Sequence, residues 1–308
     1  MRHTGSEIYA HFPLRMRFFA AAGGRMRVKT ALAAAGAALL ALGLLLTAAR
    51  LHWHAGARRA RARLADSRQG LPACCTGDWR ALPLPVQRYL RRAIGPATRP
   101  AGSVRLAQEG TFNVSESGER WLPFSAEQLV VLRRPGFVWE ARLGMLPGAP
   151  VLVRDSYLEG GGLTEARLLG LWPLASVHGG GEIARGQLIR FLAESPWYPA
   201  VLLPGNGVEW AEADWRSARA SLRDGAVRAE VTFVFGEDDF VLAVHAADRP
   251  RASGGRLAPA PWIGRFGSYA ERDGFFVPLE GEVSWATAEG PRPYWRGRIV
   301  RIEYDPVF

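Results

Sequence analysis

The hydrophobic and polar positions of this chain follow three different patterns, and each pattern predicts a different kind of element. Residues 30–49 form an unbroken apolar run in which only Thr30 and Thr47 are polar. A helix of about 20 apolar residues is long enough to cross the hydrocarbon core of a bilayer. This run therefore predicts an N-terminal transmembrane helix.

Two shorter segments repeat their apolar residues at helical spacing. Residues 84–94 place four apolar side chains on one face and end at a Gly-Pro pair. Residues 182–193 follow three glycines and also have an apolar side. The polar residues on the opposite side of this second segment are Gln187, Arg190 and Glu194. Both segments predict short amphipathic helices.

Most of the remaining sequence alternates between apolar and polar residues, with the period of two that is typical of half-buried strands. About ten such segments lie between residues 104 and 304, and Asp-Gly pairs at 224–225 and 273–274 predict tight hairpin turns. The predicted fold is α+β and strand-dominated. It is a large curved antiparallel sheet, or half-barrel, packed on one or two helices and preceded by the transmembrane helix. The helix at 182–193 is predicted to fill the inner face.

These patterns divide the chain into a basic N-terminal segment (1–29), the transmembrane helix (30–49), a basic juxtamembrane helix and linker (50–82) and a single strand-rich domain (83–308). The first 66 residues contain eleven basic and two acidic residues, whereas the rest of the chain is close to neutral. Basic residues beside an apolar run are suited to anionic lipid headgroups. The predicted partner is therefore a membrane and not a nucleic acid.

The flanking charges bear on the side of the membrane at which the domain lies. Five basic residues precede the run from position 15 and five follow it up to position 63, so the positive-inside rule gives no orientation. A start at Met26, in place of Met1 or Met16, favours a cytoplasmic domain. We predict a single-pass protein of the cytoplasmic (inner) membrane with a periplasmic domain, and the cytoplasmic orientation is the alternative.

A cleaved signal peptide is the alternative to a retained anchor. Signal peptides have a shorter apolar core, of about 7–15 residues, which is followed by a cleavage site of small residues. Residues 47–49 resemble such a site, but the apolar run is longer and Arg50 follows at once. The pattern favours the retained anchor.

Three stretches of the chain resemble a known family. They lie within 84–90, 186–199 and 261–285 and include LPVQRYL, GQLIRFLAESPWYP and PWIGRF. Together they resemble an uncharacterised family of bacterial single-pass membrane proteins, a domain of unknown function, over nearly all of residues 83–304. In that family a glutamate is common where this chain has Gln187. The resemblance implies a membrane-anchored domain and no particular reaction.

A second resemblance concerns the fold. Residues 134–140 and 151–155 are similar to a pattern of the periplasmic lipoprotein carrier and its outer-membrane receptor: Pro-Gly, an aromatic residue, and then a strand with an aspartate. Those proteins have a curved half-barrel closed by helices around an apolar cavity for acyl chains. The resemblance implies a lipid or lipoprotein ligand by analogy of fold.

The sequence contains none of four common catalytic signatures: the nucleophile elbow, the zinc-protease helix, the P-loop and the Ser-x-x-Lys motif. Its two cysteines, Cys74 and Cys75, are adjacent and fit neither an ordinary disulfide with each other nor a zinc site. We therefore predict no catalytic residue, no metal and no cofactor.

The polar cluster that we select consists of Arg190 and Glu194, which are one helical turn apart. They are either part of an anion-binding site or an ion pair that fastens the helix to the sheet. Asp155 and His178 would form an acid–base pair if the fold brought them together. Nine tryptophans of the domain either line an apolar groove or fill a large core. The predicted ligand-binding residues are Arg190, Glu194, Trp197, Trp139 and Asp155.

The leading hypothesis is a membrane-anchored, non-catalytic domain that binds a hydrophobic ligand, such as a lipid or an acyl chain, or docks an envelope partner. The first alternative is an enzyme of unknown reaction with a site around Arg190, Glu194, Asp155 and His178, which convergence of these groups on one pocket would favour and their dispersal over the surface would exclude. The second is a structural scaffold of the envelope, which a sheet interior without a cavity would favour.

Overall fold

The computed structural model describes residues 21–66, 79–95, 101–115, 118–146, 148–253 and 256–305. Residues 1–20 of the basic N-terminal segment lie outside these ranges, as does most of the linker with Cys74 and Cys75. The chain divides into two compact units, Met1–Ala48 and Ala49–Phe308.

The apolar run belongs to helix α1, Ala21–Asp66. Among the described residues, the segment Val28–Asp66 is the one helix that is long and apolar enough to cross a membrane, judged by length and composition. None of its apolar window is buried within the protein. The helix therefore fits the predicted anchor.

The second unit is built on one antiparallel sheet, which has thirteen strands within the described part of the chain. In chain order they are β1 (Ser103–Asn113), β2 (Trp121–Val131), β3 (Gly136–Leu146), β4 (Ala149–Leu158), β5 (Gly161–Leu168), β6 (Trp172–Gly179), β7 (Val208–Asp214), β8 (Ser217–Asp224), β9 (Val227–Phe235), β10 (Val241–Ser253), β11 (Arg256–Arg272), β12 (Phe275–Thr287) and β13 (Gly290–Tyr304). Their order across the sheet is β6-β5-β4-β3-β2-β1-β13-β12-β11-β10-β9-β8-β7. Two meanders, β1–β6 and β7–β13, thus join where β1 pairs with β13.

The strand-dominated α+β prediction is confirmed, because the sheet is a curved, open half-barrel with edges at β6 and β7. The strands outnumber the predicted ten partly because the edge strands have no alternating pattern. All of β6 is exposed, and Val208 is the one buried residue of β7. A strand without a buried face leaves no period of two in the sequence.

Helix α3 (Gly181–Ala193) connects the two meanders and lies against the inner face of the sheet, as predicted for residues 182–193. It comes close to β5 because Gly162 has no side chain. A Cβ at Gly162 would lie 2.7 Å from the backbone of Ile183. Two buried 3₁₀ turns, Ser195–Trp197 and Pro199–Leu202, continue the chain across the inner face.

Helix α2 (Leu84–Ala93) covers one end of the half-barrel. The apolar face that the spacing predicted is buried, and Tyr89 lies 5.7 Å from Phe235 between ring centroids. Ile94 pairs with Phe275 at the start of β12. The opposite end, which we call the hairpin end, is where β1, β3, β5, β10 and β12 end and the strands that pair with them begin.

Residues 49–66 of α1 pack on the outer face of the sheet, along β2, β3 and β4. Ala49 lies beside Gly170 in the turn after β5, and Leu64 lies beside Gly136 at the start of β3. The chain therefore enters this unit at the hairpin end and runs towards the opposite end. Leu64 is 1% exposed, and the buried residues around it are Leu129, Val131 and Val138.

A buried arginine fastens the middle of this helical segment to β4. Arg154 Nη2 donates a hydrogen bond to the carbonyl oxygen of Trp53 at 2.7 Å, and its guanidinium lies 4.3 Å from the centre of the Trp53 ring. Arg154 also contacts Glu140 at 3.3 Å, and Arg61 of the helix reaches Glu140 at 2.7 Å. Residues 50–82 were predicted to be a juxtamembrane helix and linker outside the strand-rich domain, and their packing on the sheet was not predicted.

Candidate functional site

A cavity of about 590 Å³ lies between helix α3 and the inner face of the sheet. Strands from both meanders form its walls, with α3 and the 3₁₀ turn at Trp197 on one side. Its lining is mostly aliphatic and aromatic. The opening lies towards the hairpin end, beside the edge strand β6, because the exposed lining residues include Val114, Leu174, Ala175 and Ala252.

A chain of hydrogen bonds crosses the inner face beside the cavity. Trp139 Nε1 donates to Gln108 Oε1 at 2.8 Å, and Gln108 Nε2 donates to Gln128 Oε1 at 3.3 Å. Gln128 Nε2 then donates to Glu194 Oε2 at 2.7 Å. Because buried polar groups cost free energy unless they are paired, this chain keeps four inward polar side chains compatible with an apolar interior.

Arg190 joins the chain to β4 through two carboxylates. Its Nε donates to Glu194 Oε1 at 2.7 Å, and its Nη1 donates to Asp155 Oδ2 at 2.6 Å. The three side chains are between 13% and 17% exposed, so the group is largely shielded from water. One guanidinium therefore contacts both carboxylates, and the group as a whole is not charge-balanced.

The charge of Arg190 is stabilised by this environment. Burial alone would lower the pKa of its guanidinium, but the carboxylates of Glu194 and Asp155 outweigh burial and hold the pKa above its usual value. The guanidinium also lies 4.8 Å from the Trp139 ring and 5.2 Å from the Phe137 ring. It remains a fixed cation, which suits a role in positioning α3 and not in proton transfer.

Trp197 forms part of the wall next to this group. The 3₁₀ turn after α3 holds it, and its Nε1 donates to the carbonyl oxygen of Pro278 at 3.1 Å. Its ring packs on Phe266 and Trp295 with centroids 5.6 and 6.0 Å apart. Gly281 makes room for these rings, since a Cβ there would lie 3.3 Å from both Trp197 and Trp295.

A second group of polar and aromatic residues lies nearer the opening. Arg249 Nη1 and Trp262 Nε1 both donate to the hydroxyl oxygen of Tyr294 at 2.9 Å. The guanidinium of Arg249 lies 5.1 Å from the Trp262 ring and 5.6 Å from the Trp285 ring. Arg251 lies over the same Trp285 ring, at 5.2 Å. We call Arg249, Arg251 and Arg292, which all line the cavity, the mouth arginines.

All five residues predicted from the sequence line this one cavity: Arg190, Glu194, Trp197, Trp139 and Asp155. His178 does not join them. It pairs with Leu163, which faces away from the cavity-lining Thr164, so His178 lies on the opposite face of the sheet from Asp155. Of the four groups that the enzyme hypothesis named, Arg190, Glu194 and Asp155 lie together and His178 does not. An interior without a cavity would have favoured the scaffold hypothesis, and the described interior contains a cavity.

Metal ligands do not cluster in the part of the chain that the structure describes. No group of three or more histidine, cysteine, aspartate or glutamate residues there is arranged to hold an ion. Glu280 and Glu282, which share a face of β12, contact Ser268 and Arg296 respectively.

Sequence reasoning missed the two glutamines and the mouth arginines. Gln108 and Gln128 occupy inward positions in strands whose neighbouring inward residues are mostly apolar. A polar residue at such a position could have predicted a buried hydrogen bond. Arg249 follows an irregularity in the pairing of β10 with β11 between Ala246 and Arg249. This irregularity ends the simple alternation, so the inward position of Arg249 left no pattern in the sequence.

Comparisons with known proteins agree with the first resemblance. Residues 80–304 match the model of a family described as a family of unknown function (DUF6920). No curated protein matches the sequence.

Solved structures give a distant likeness. The chain is similar to an outer membrane lipoprotein-sorting protein domain from Vibrio parahaemolyticus, with 10% identity, a TM-score of 0.37, and coverage of 67% of this chain and 87% of that one. It is also similar to a LolA superfamily protein from Nitrosomonas europaea, with 10% identity, a TM-score of 0.38, and coverage of 72% and 94%. Similarity at this level transfers neither a ligand nor an activity.

Proposed function

The chain belongs to the DUF6920 family of unknown function, and we propose that its strand-rich domain is a membrane-anchored, non-catalytic binding domain whose cavity holds the acyl chain of a lipid or a lipoprotein. The observation that carries this proposal is the cavity itself. Its volume of about 590 Å³ is in the range of small-molecule sites, and such sites are mostly apolar with few polar groups.

The charges beside the cavity support an apolar ligand. Asp155 and Glu194 are both paired with Arg190, and Gln128 completes the hydrogen bonds of Glu194. Asp155 and Glu194 share this one cation, and Asp155 Oδ1 is buried without a hydrogen-bond partner among the described residues. This part of the wall therefore disfavours an anionic group and is left to the apolar part of a ligand. The wall around the ion pair offers aromatic and aliphatic surface, including Trp139 and Trp197.

The proposed anchor is the apolar run at residues 30–49, and the proposed location of the domain is the periplasm. The run lies in the helix that is long and apolar enough to cross a membrane, and the chain enters the domain at the end where the cavity opens. Fusions of alkaline phosphatase and of green fluorescent protein to the C-terminus test the side. Active phosphatase with a dark fluorophore is the expected result, and a bright fluorophore with inactive phosphatase would contradict a periplasmic domain.

Photolabelling tests the acyl-chain site directly. The full chain, extracted with its lipids into polymer nanodiscs, is exposed to a long-chain fatty acid that carries a diazirine, and the modified residues are mapped by mass spectrometry. Adducts are expected on the cavity lining, around Val153 and Ala166. Adducts spread evenly over the outer face would contradict the proposal.

A matched pair of variants sharpens this experiment. Ala166 lines the cavity on β5, whereas Ser176 is exposed on the neighbouring strand β6 and faces the other way, because it pairs with Glu165. Ala166→Trp fills part of the cavity and is expected to reduce labelling of the lining severalfold. Ser176→Trp adds the same side chain outside the cavity and is expected to leave labelling unchanged.

A further inference from the structure

The carboxylates that line the cavity are all paired with arginines, but the mouth arginines are not paired with carboxylates. Asp155 and Glu194 contact Arg190, and Glu282 contacts Arg296 at 2.8 Å. Among the described residues, no carboxylate lies within 4 Å of Arg249, Arg251 or Arg292. The carboxylate that interacts with this group from a greater distance is Glu289, whose pKa is lowered by its hydrogen bonds from Thr287 and from the backbone and also by the charge of Arg292. Three arginines against this one carboxylate leave the opening with an excess of positive charge, which the paired charges deeper in the cavity do not have.

Aromatic rings hold two of these arginines in place. Trp285 lies beneath the guanidiniums of both Arg249 and Arg251, and Tyr294 stacks on Trp285 with centroids 5.5 Å apart. A guanidinium held over a ring face still has N–H donors for an oxyanion. The Nε of Arg249 is buried and has no hydrogen-bond partner in the described structure. Such a donor is costly unless a ligand or a neighbour satisfies it.

Arg292 completes the group from the opposite strand. It pairs directly with Trp285 in the register of β12 and β13, and its Nη2 donates to the carbonyl oxygen of Gly118 at 3.2 Å. That contact connects it to the turn after β1, at the hairpin end. The mouth arginines thus come from two hairpins and surround one aromatic surface.

We infer that the ligand is an anionic amphiphile, whose carboxylate or phosphate group binds the mouth arginines while its acyl chain fills the cavity. This inference rests on the proposed function and adds the chemistry of the ligand's polar end. Arginine suits both oxyanions because its fork of N–H donors matches their geometry. Arg190 does not compete for the anion, since two carboxylates already surround it.

Three probes with the same chain and diazirine test the inference on the full protein in nanodiscs: a fatty acid, the corresponding fatty alcohol and the corresponding alkyl phosphate. The two anionic probes are expected to label the cavity about tenfold more than the alcohol, which corresponds to one charge-assisted hydrogen bond. A diazirine near the polar end is expected to modify residues around Trp285. A diazirine near the chain end is expected to modify residues around Trp139.

Variants assign the preference to the mouth. Arg249→Gln combined with Arg251→Gln is expected to reduce labelling by the acid and the phosphate to the level of the alcohol. Labelling by the alcohol is expected to stay at the wild-type level. Because loss of the fold would lower this labelling, the alcohol serves as the control for folding. If this double variant does not fold, Arg251→Gln with Arg292→Gln leaves the bond from Arg249 to Tyr294 intact and is expected to reduce the preference severalfold. Arg256→Gln removes an exposed charge that does not line the cavity and is the matched control.

The outcomes separate this inference from the proposed function. Equal labelling by all three probes, or a preference that persists in the double variant, would overturn the anionic amphiphile and leave an apolar ligand in place. Labelling of the cavity by none of the probes would contradict the proposed function. Inorganic phosphate that displaces the acid probe at equal concentration would assign the mouth to a free anion and overturn the amphiphile.

Discussion

The two faces of the sheet around β4 are covered by helices in different ways. On the outer face, residues 49–66 of α1 pack against the strands with Trp53, Ala57 and Leu64 buried. On the inner face, α3 is connected to β4 through Arg190 and Asp155, and a cavity of about 590 Å³ remains beside it. Arg154 and Asp155 are adjacent in β4 but face opposite sides of the sheet. Arg154 therefore lies in the interface with α1, and Asp155 lies beside the cavity.

The difference lies in the side chains that separate each helix from the strands. The outer helix presents Gly56 and Ala57, so its backbone comes close to the sheet, and a Cβ at Gly56 would lie 2.9 Å from Arg154 Nη1. At β3 and β4 the inner face presents Trp139 and the ion pair of Asp155 with Arg190, and the cavity lies beside these side chains. At Gly162 of β5, where no side chain intervenes, α3 comes as close to the sheet as the outer helix does. The comparison indicates that the cavity is a property of the inner face and not of loose packing throughout the domain.

The largest expected effect is that of removing the inner arginine. Arg190→Met leaves Asp155 and Glu194 buried without the cation that they share, and we expect a loss of about 3–5 kcal/mol in the free energy of unfolding. Arg154→Met is the outer counterpart. Its carboxylate neighbours keep other arginines, since Glu140 contacts Arg61 at 2.7 Å and Glu165 contacts Arg167 at 2.6 Å.

We therefore expect Arg154→Met to cost less, about 1–3 kcal/mol, mainly for the hydrogen bond to Trp53. Urea unfolding of the full chain in detergent micelles measures both variants. Equal losses would contradict the view that the inner ion pair depends on a single cation.

Truncation of leucines on the two faces is expected to give the next largest difference. Leu64→Ala creates a new cavity in the filled interface and is expected to cost about 2–4 kcal/mol. Leu143 is also buried, but it lines the existing cavity. Leu143→Ala should cost about 1 kcal/mol less than Leu64→Ala, because part of its surface has no packing partner to lose. The same unfolding measurement checks this, and a larger loss for Leu143→Ala would contradict the comparison.

Added methyl groups test the same contrast in the other direction. A Cβ at Gly136 would lie 2.6 Å from Leu64 Cδ1, and we expect Gly136→Ala to destabilise the protein by about 1–3 kcal/mol. A Cβ at Gly281 would lie 3.3 Å from Trp197 and Trp295. Those rings border the cavity and have room to shift, so Gly281→Ala should cost less than about 1 kcal/mol. Combining Gly136→Ala with Leu64→Ala should cost less than the sum of the two, and additive losses would argue against their contact.

The smallest expected effect belongs to an exposed ion pair between the outer helix and the turn after β4. Arg63 contacts Glu159 at 2.6 Å, but both side chains are largely exposed to solvent. Arg63→Gln should change the free energy of unfolding by less than about 0.5 kcal/mol. A larger loss would mean that surface charges, and not the buried contacts of Leu64 and Trp53, hold this helix on the sheet.

The sequence predicted the fold wherever an element has one buried face. Helices α2 and α3 and most inner strands have such a face, and their apolar residues repeat with the expected period. The packing of residues 49–66 was missed although Trp53, Ala57 and Leu64 lie on one helical face. Two of the residues on that face, Ala57 and Ala60, are alanines, and the adjoining apolar run hides the change from a lipid-facing to a protein-facing surface.

The candidate site was predicted in part for a related reason. Arg190 and Glu194 are one turn apart on a helix, and local spacing reveals such a pair. The cavity depends on the distance between α3 and strands that are far away in the sequence. Periodicity predicts the face on which a side chain lies but not the distance between two elements. The mouth arginines combine this difficulty with the irregularity in β10, so the structure was needed to find them.

Native mass spectrometry of the full chain, released from membranes together with its bound lipids, detects a ligand of the inner-face cavity without any added probe. The wild-type chain is expected to retain an amphiphile, Ala166→Trp to lose it and Ser176→Trp to keep it. Equal occupancy in the two tryptophan variants, or no bound amphiphile in the wild-type chain, would contradict the claim that the inner-face cavity is a ligand-binding site.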